Sequence, residues 1–190
     1  MLDGLPGKAN SSKSQMLFRG RKPEATVWKR FRSGQDGFTF TRIEDHYEAK
    51  VSANSERIVD LFYTLSEVLP PAIDVHIEDM RTQTAWQGES VALPDVRDVV
   101  ARLKVLLSSF GGIEMTFYTG EDQLTLTPQL ELVIYSRSDR WLYLLQSKNL
   151  EERAALADRA WGGSSWDRTR APALSEALAS AASRLTLRSI

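Results

Sequence analysis

Residues 38–69 read FTFTRIEDHYEAKVSANSERIVDLFYTLSEVL, and their pattern decides the fold class. Phe38 to Ile43 carries aromatic and β-branched residues, which suit a pleated surface. His46 to Val51 alternates, with Tyr47, Ala49 and Val51 on one side and His46, Glu48 and Lys50 on the other. The link Glu44-Asp45 is short, and short links join antiparallel neighbours, so the two runs read as a hairpin. The period then changes. Ile58, Leu61, Phe62, Leu65 and Leu69 make one apolar stripe at helical spacing. Asn54 or Ser55 can accept a first-turn N–H, and Pro70-Pro71 ends the helix.

The same order recurs downstream. Ile73, Val75 and Ile77 share one strand face, and Asp74, His76 and Glu78 the other. A second strand is expected over Thr82 to Trp86. Pro94 suits a first helical turn, and Val96, Val99, Val100, Leu103, Leu107 and Phe110 form the strongest amphipathic stripe in the chain. Gly111-Gly112 supplies its exit. Ile43-Glu44-Asp45 matches Ile77-Glu78-Asp79, but strand–strand–helix units are common, and the match is read as coincidence rather than duplication. Residues 113–147 read as four strands, Ile113 to Tyr118, Gln123 to Thr127, Leu130 to Tyr135 and Trp141 to Leu145, in an antiparallel meander. Two helices close the chain. One is expected from about Leu150 to Trp161, ending at Gly162-Gly163. The other starts at Pro172 and carries Leu174, Leu178, Ala181, Ala182 and Leu185.

The expectation is an α+β fold, a twisted, mainly antiparallel sheet with helices packed on one face and a flexible basic N-terminal arm. A mixed sheet is the alternative. The expected division is a basic, partly disordered arm over 1–34 and one α+β domain over 35–190. At 190 residues with 42% hydrophobic and 26% charged, the chain can bury roughly two-thirds of its unfolded surface, which excludes a mostly disordered protein. It has no cysteine, which excludes disulfides, thiol nucleophiles and iron–sulfur clusters. No run approaches the roughly 20 apolar residues of a membrane span. Met16-Leu17-Phe18 is too short for the apolar core of a secretion signal, so a cytoplasmic setting is expected.

Charge is polarised. Residues 1–34 carry eight Lys/Arg against two Asp/Glu, a formal +6, and residues 35–190 carry sixteen against twenty-three, a formal −7. In the arm, Arg19, Arg21, Lys22, Lys29, Arg30 and Arg32 interleave with Phe18, Trp28 and Phe31. Cations among aromatics suit a protein partner, nucleic acid, an anionic membrane surface, or the acidic body itself.

The chain holds no phosphate-binding, dinucleotide, zinc-protease, calcium-loop or nucleophile-elbow motif. No catalytic residue, metal ligand or cofactor is assigned. The leading expectation is a non-enzymatic protein-interaction module of adaptor, chaperone-like or inhibitor/immunity type. Its binding residues would be Trp161, Trp166, Arg168, Arg170, Trp28, Arg30 and Arg32, because Trp and Arg are enriched at binding hot spots. Asp74, Glu78 and Glu48 would steer a basic partner. A nucleic-acid-associated protein using residues 19–32 is the second reading. The third is a small hydrolase or metal-dependent enzyme using His46 and His76, if their strands were neighbours.

Overall fold

The computed structural model describes residues 36–156 and 171–190. The chain runs β1 (Gly37–Ile43), β2 (His46–Ser52), α1 (Ser55–Leu65), a single 3-10 turn (Ser66–Val68), β3 (Ala72–Asp79), β4 (Thr84–Ala92) and α2 (Leu93–Phe110). It continues as β5 (Ile113–Tyr118), β6 (Asp122–Leu126), β7 (Leu132–Ser136), α3 (Arg140–Ser147), α4 (Pro172–Arg184) and β8 (Arg188–Ser189). The eight strands form one sheet in the order β1-β2-β7-β6-β5-β3-β4-β8. Every neighbouring pair of strands is antiparallel.

Strand alternation makes the two faces unlike. Phe38, Val51, Leu132, Leu126, Met115, Ile77 and Trp86 stand in cross-strand register from β1 to β4. Ala49, Ile134, Leu124, Phe117 and Val75 make the next buried row on the same face. The four helices cover this side. Phe62 of α1 meets Phe117 with ring centroids 4.6 Å apart. From α2, Val96, Val99, Val100, Leu103 and Leu107 enter the same core, as do Leu174 and Leu178 of α4. Outside the core, Tyr63 lies between Lys104 and Arg97, whose charges sit 4.2 and 4.6 Å from the ring centroid. Asp60 and Glu67 answer those two cations across the α1–α2 seam.

Two buried carboxylates tie helices to strand ends. Asp122 accepts hydrogen bonds from Trp141 Nε1 at 2.8 Å and Ser136 Oγ at 2.6 Å, and it pairs with Arg140. Asp79, fully buried, accepts from Ser175 Oγ at 2.8 Å and from the Arg81 backbone N–H at 3.0 Å. The Arg81 guanidinium then donates to the carbonyls of Phe110 and Gly111. It thereby satisfies acceptors that the end of α2 leaves open.

The structure corrects three expectations. Trp141 to Leu145 is helical, within α3. The run has no strand alternation: Trp141 and Leu145, four residues apart, are both fully buried, while Tyr143 between them is 63% exposed. Residues 151–156 are not helical. Phe38 donates its N–H to the Glu151 carbonyl and accepts from the Arg153 N–H, so this stretch lies along the outer edge of β1. The rest of that expected helix falls outside the described residues. The strand expected over Thr82 to Trp86 is β4, which runs on to Ala92, and β8 was not foreseen. The two matching tripeptides point opposite ways: Ile77 is in the core and Ile43 is on the other face, 38% exposed.

Leu103→Ala is expected to cost about 2–5 kcal/mol through lost transfer energy and a cavity. Asp122→Ala is expected to cost about 3–5 kcal/mol, because it strands a buried partner set. Asp139→Ala, at an exposed position beside it, should stay within about 0.5 kcal/mol. Denaturant unfolding of the three variants checks all of these.

Candidate functional site

The face of the sheet opposite the helices carries the candidate site. The described helices reach it only at the trough, through Asp95 of α2 and Arg184 of α4. One cross-strand row reads Thr39, Lys50, Val133, Thr125, Thr116, His76, Gln87 and Arg188 from β1 to β8. The next reads Thr41, Glu48, Tyr135, Gln123, Tyr118 and Asp74. Glu78 and Glu114 stand directly opposite each other on β3 and β5. Apart from Val133, polar residues occupy these positions because alternate side chains point away from the core; in the middle of the face Thr116 and Thr125 are buried and share a hydrogen bond at 3.1 Å.

At the β2 end, Glu48 pairs with Lys50 at 3.1 Å. It also takes the hydrogen bond of the Tyr135 hydroxyl, which raises the Tyr135 pKa; burial and the Glu48 charge push the same way. His46 rests against the Tyr135 ring at 5.9 Å between centroids.

At the other end the surface becomes concave. A trough of about 840 Å³ lies where β3 and β4 change register, lined by Asp74, His76, Gln87, Glu89, Asp95, Glu114, Tyr118, Arg184 and Arg188 among others. Its shape comes from a bulge. Ile73 pairs with Val91 but Val75 with Gly88, so β4 holds one residue more than β3 over this interval. Ser90, at positive φ, donates its backbone N–H to Asp74 Oδ1 at 2.8 Å. Leu187, beyond α4, closes over Gly88, where any Cβ would meet its side chain at 2.5 Å. Within this trough Asp74, Glu89, Asp95 and Glu114 make no ion pair among the described residues. Arg184 is engaged by Asp98 at 2.6 Å. The Arg102 hydrogen bond holds Asp98 below the usual carboxylate range; desolvation opposes it, and the charges of Arg102 and Arg184 add to the lowering.

Asp74, His76 and Glu78 do share a strand face, as do His46 and Glu48. The two histidines do not share a site. They sit on β3 and β2, separated by four strand spacings, or about 19 Å at the usual 4.7–4.9 Å. His76 Nε2 lies 3.8 Å from Glu78 Oε2, and His46 Nδ1 3.5 Å from Asp45 Oδ1. Among the described residues no group of three or more His, Asp or Glu could hold a metal ion. Trp161, Trp166, Arg168, Arg170, Trp28, Arg30 and Arg32 lie outside the described residues.

Of the expected steering residues Asp74 lines the trough, Glu78 stands beside it on β3 and Glu48 lies apart on β2; sequence reading missed four that line the trough with Asp74, namely Glu89, Asp95, Glu114 and Tyr118. The signal for two of them was present, since Glu114, Thr116 and Tyr118 alternate with Ile113, Met115 and Phe117. Comparison with models of known families, with curated proteins and with solved structures gave no match. No helix of the described residues is long and apolar enough to cross a membrane.

The Tyr135 shift gives a pH test. A raised pKa means the folded state holds the phenolic proton more tightly. This contribution to stability is full below the ordinary value of about 10 and is lost as pH rises through the raised one. In ultraviolet titration the absorbance step missing from Tyr135→Phe should lie above pH ~10 in the parent protein. Glu48→Gln should move that step down. An unmoved step would remove Glu48 as the cause.

Proposed function

We propose that the protein is a non-enzymatic interaction module, of adaptor, chaperone-like or inhibitor/immunity type, working in the cytoplasm. Its sheet face opposite the helices receives a basic segment of a partner protein at the trough. The observation that carries this reading is the trough, where four carboxylates without ion-pair partners among the described residues line one concavity beside the exposed Tyr118 ring. Arg184 and Arg188 also line the trough, but Arg184 is taken by Asp98, so carboxylates outnumber cations there, and such an excess raises the encounter rate with a basic partner. Aromatic rings beside them supply contact area at small entropic cost. A basic loop or strand end that lays one or two Lys or Arg into the trough fits this chemistry. Trp166 and Arg168 remain proposed anchors on the same partner.

Charge reversal tests the proposal without touching the core. Glu89→Lys/Glu114→Lys changes two side chains that make no hydrogen bond or ion pair among the described residues. The parent protein should retain a protein partner from nuclease-treated lysate. The association rate with that partner, once purified, should fall at least about tenfold in the double variant at low salt. The unfolding midpoint should stay put. Equal association rates would overturn the reading. Capture that vanishes on nuclease treatment would favour a nucleic-acid partner for residues 19–32.

A further inference from the structure

The trough and its neighbouring face present acidic groups, and the chain itself carries a segment of opposite charge. We infer that the basic arm, Arg19 to Arg32, runs along the side of its own sheet opposite the helices and occupies the trough until a partner displaces it. The inference rests on the reading above for the identity of the surface and adds an internal competitor to it.

Three observations support the arm as the occupant. The first is charge. Residues 1–34 carry a formal +6, while Asp74, Glu89, Asp95 and Glu114 have no cation partner among the described residues. The second is where the arm is attached. The described chain begins at Asp36, just before β1, and Arg57 of α1 pairs with Asp36. The arm therefore joins the sheet at β1, at the far side from the trough beside β4. From β1 to β4 the face is six strand spacings wide, about 29 Å. Arg32 and Arg30 lie four and six residues before Asp36, a reach of roughly 13 and 20 Å in extended chain. Glu48 stands opposite Thr41, five residues along β1 from Asp36, about 17 Å away with one strand spacing added, which Arg30 reaches. Lys22 and Arg19 lie fourteen and seventeen residues before it, a reach of roughly 46 and 56 Å, which arrives at the trough with slack. The third is the spacing of the aromatics. Trp28, eight residues before Asp36, falls at roughly 26 Å of extended reach. That lies within range of β7, β6 and β5, where Tyr135, Gln123 and Tyr118 line the row.

Tethering makes weak contacts sufficient. A short flexible connection gives an effective concentration on the order of millimolar. A segment that binds only at millimolar levels as a free peptide would then be about half docked within the chain. Such docking would also be salt-sensitive, because exposed charges separated by more than the Debye length of roughly 3 Å at 1 M salt are screened.

The test uses the full chain. It contains no cysteine, so Ala25→Cys carries a single spin label. In isotope-labelled protein at low salt, the amide signals of Gln87, Glu114 and Tyr118 should lose intensity. That of Val105, exposed on α2 on the helix side, should not. The loss should disappear at about 1 M salt and in Glu89→Lys/Glu114→Lys. No loss at the three amides, or equal loss at Val105, overturns the inference. So does loss that appears only when spin-labelled chains without isotope are mixed with isotope-labelled chains without spin label, since the arm would then bind a second copy. No partner enters this experiment, so its failure leaves the partner-binding measurement standing, and the reverse also holds.

Discussion

One constraint organises the molecule: an eight-stranded sheet has an apolar side and a polar side, and the helices lie on the apolar one. The row from Phe38 to Trp86 is apolar at every strand it crosses. Removing that row from water is the main favourable term in folding, and it recruits α1, α2, α3 and α4 to the same side. Two buried carboxylates then fix where the helices sit. Asp122 holds the start of α3 against β6 and β7, and Asp79 holds α4 against the end of β3. Neither carboxylate leaves its buried oxygens unpaired, which is the condition for tolerating such groups in a core.

The fold was legible wherever period alone decides. The alternation Tyr47/Ala49/Val51 pointed inward as read, and the stripes through Phe62 and Leu103 are buried. Period failed where the deciding partner lies far along the chain. Trp141-Leu-Tyr-Leu-Leu145 is apolar enough for strand or helix, and the Asp122 carboxylate, nineteen residues earlier, receives the Trp141 N–H within a helix. Glu151 to Arg153 has helix-forming composition, yet β1 offers it an open row of backbone groups. Such an edge competes directly with local propensity.

The candidate site was half legible for a related reason. That Asp74, His76 and Glu78 share a face follows from alternation within one strand. That Glu114 and Tyr118 lie beside them follows only from the order β5-β3-β4. Glu89 enters the trough because β4 runs past Trp86 and carries an extra residue, held by the Asp74–Ser90 bond. The same order separates His46 from His76, with β7, β6 and β5 between them. Proximity in sequence pattern and proximity in space thus diverge at the strand order, which no single segment encodes.

That strand order also has a consequence for biosynthesis. The β1–β2 hairpin is complete once Ser52 has been made, but the inner edge of β2 pairs with β7, whose first residue is Leu132. About 80 residues separate the two. At ribosomal rates of about 5–20 residues per second, the nascent hairpin waits for roughly 4–16 seconds with that edge unmatched. Pairings between distant segments also form slowly once the chain is free. During this interval the nascent chain presents an open strand edge of the kind that molecular chaperones shield, and its yield in the cell should depend on how quickly β7 emerges.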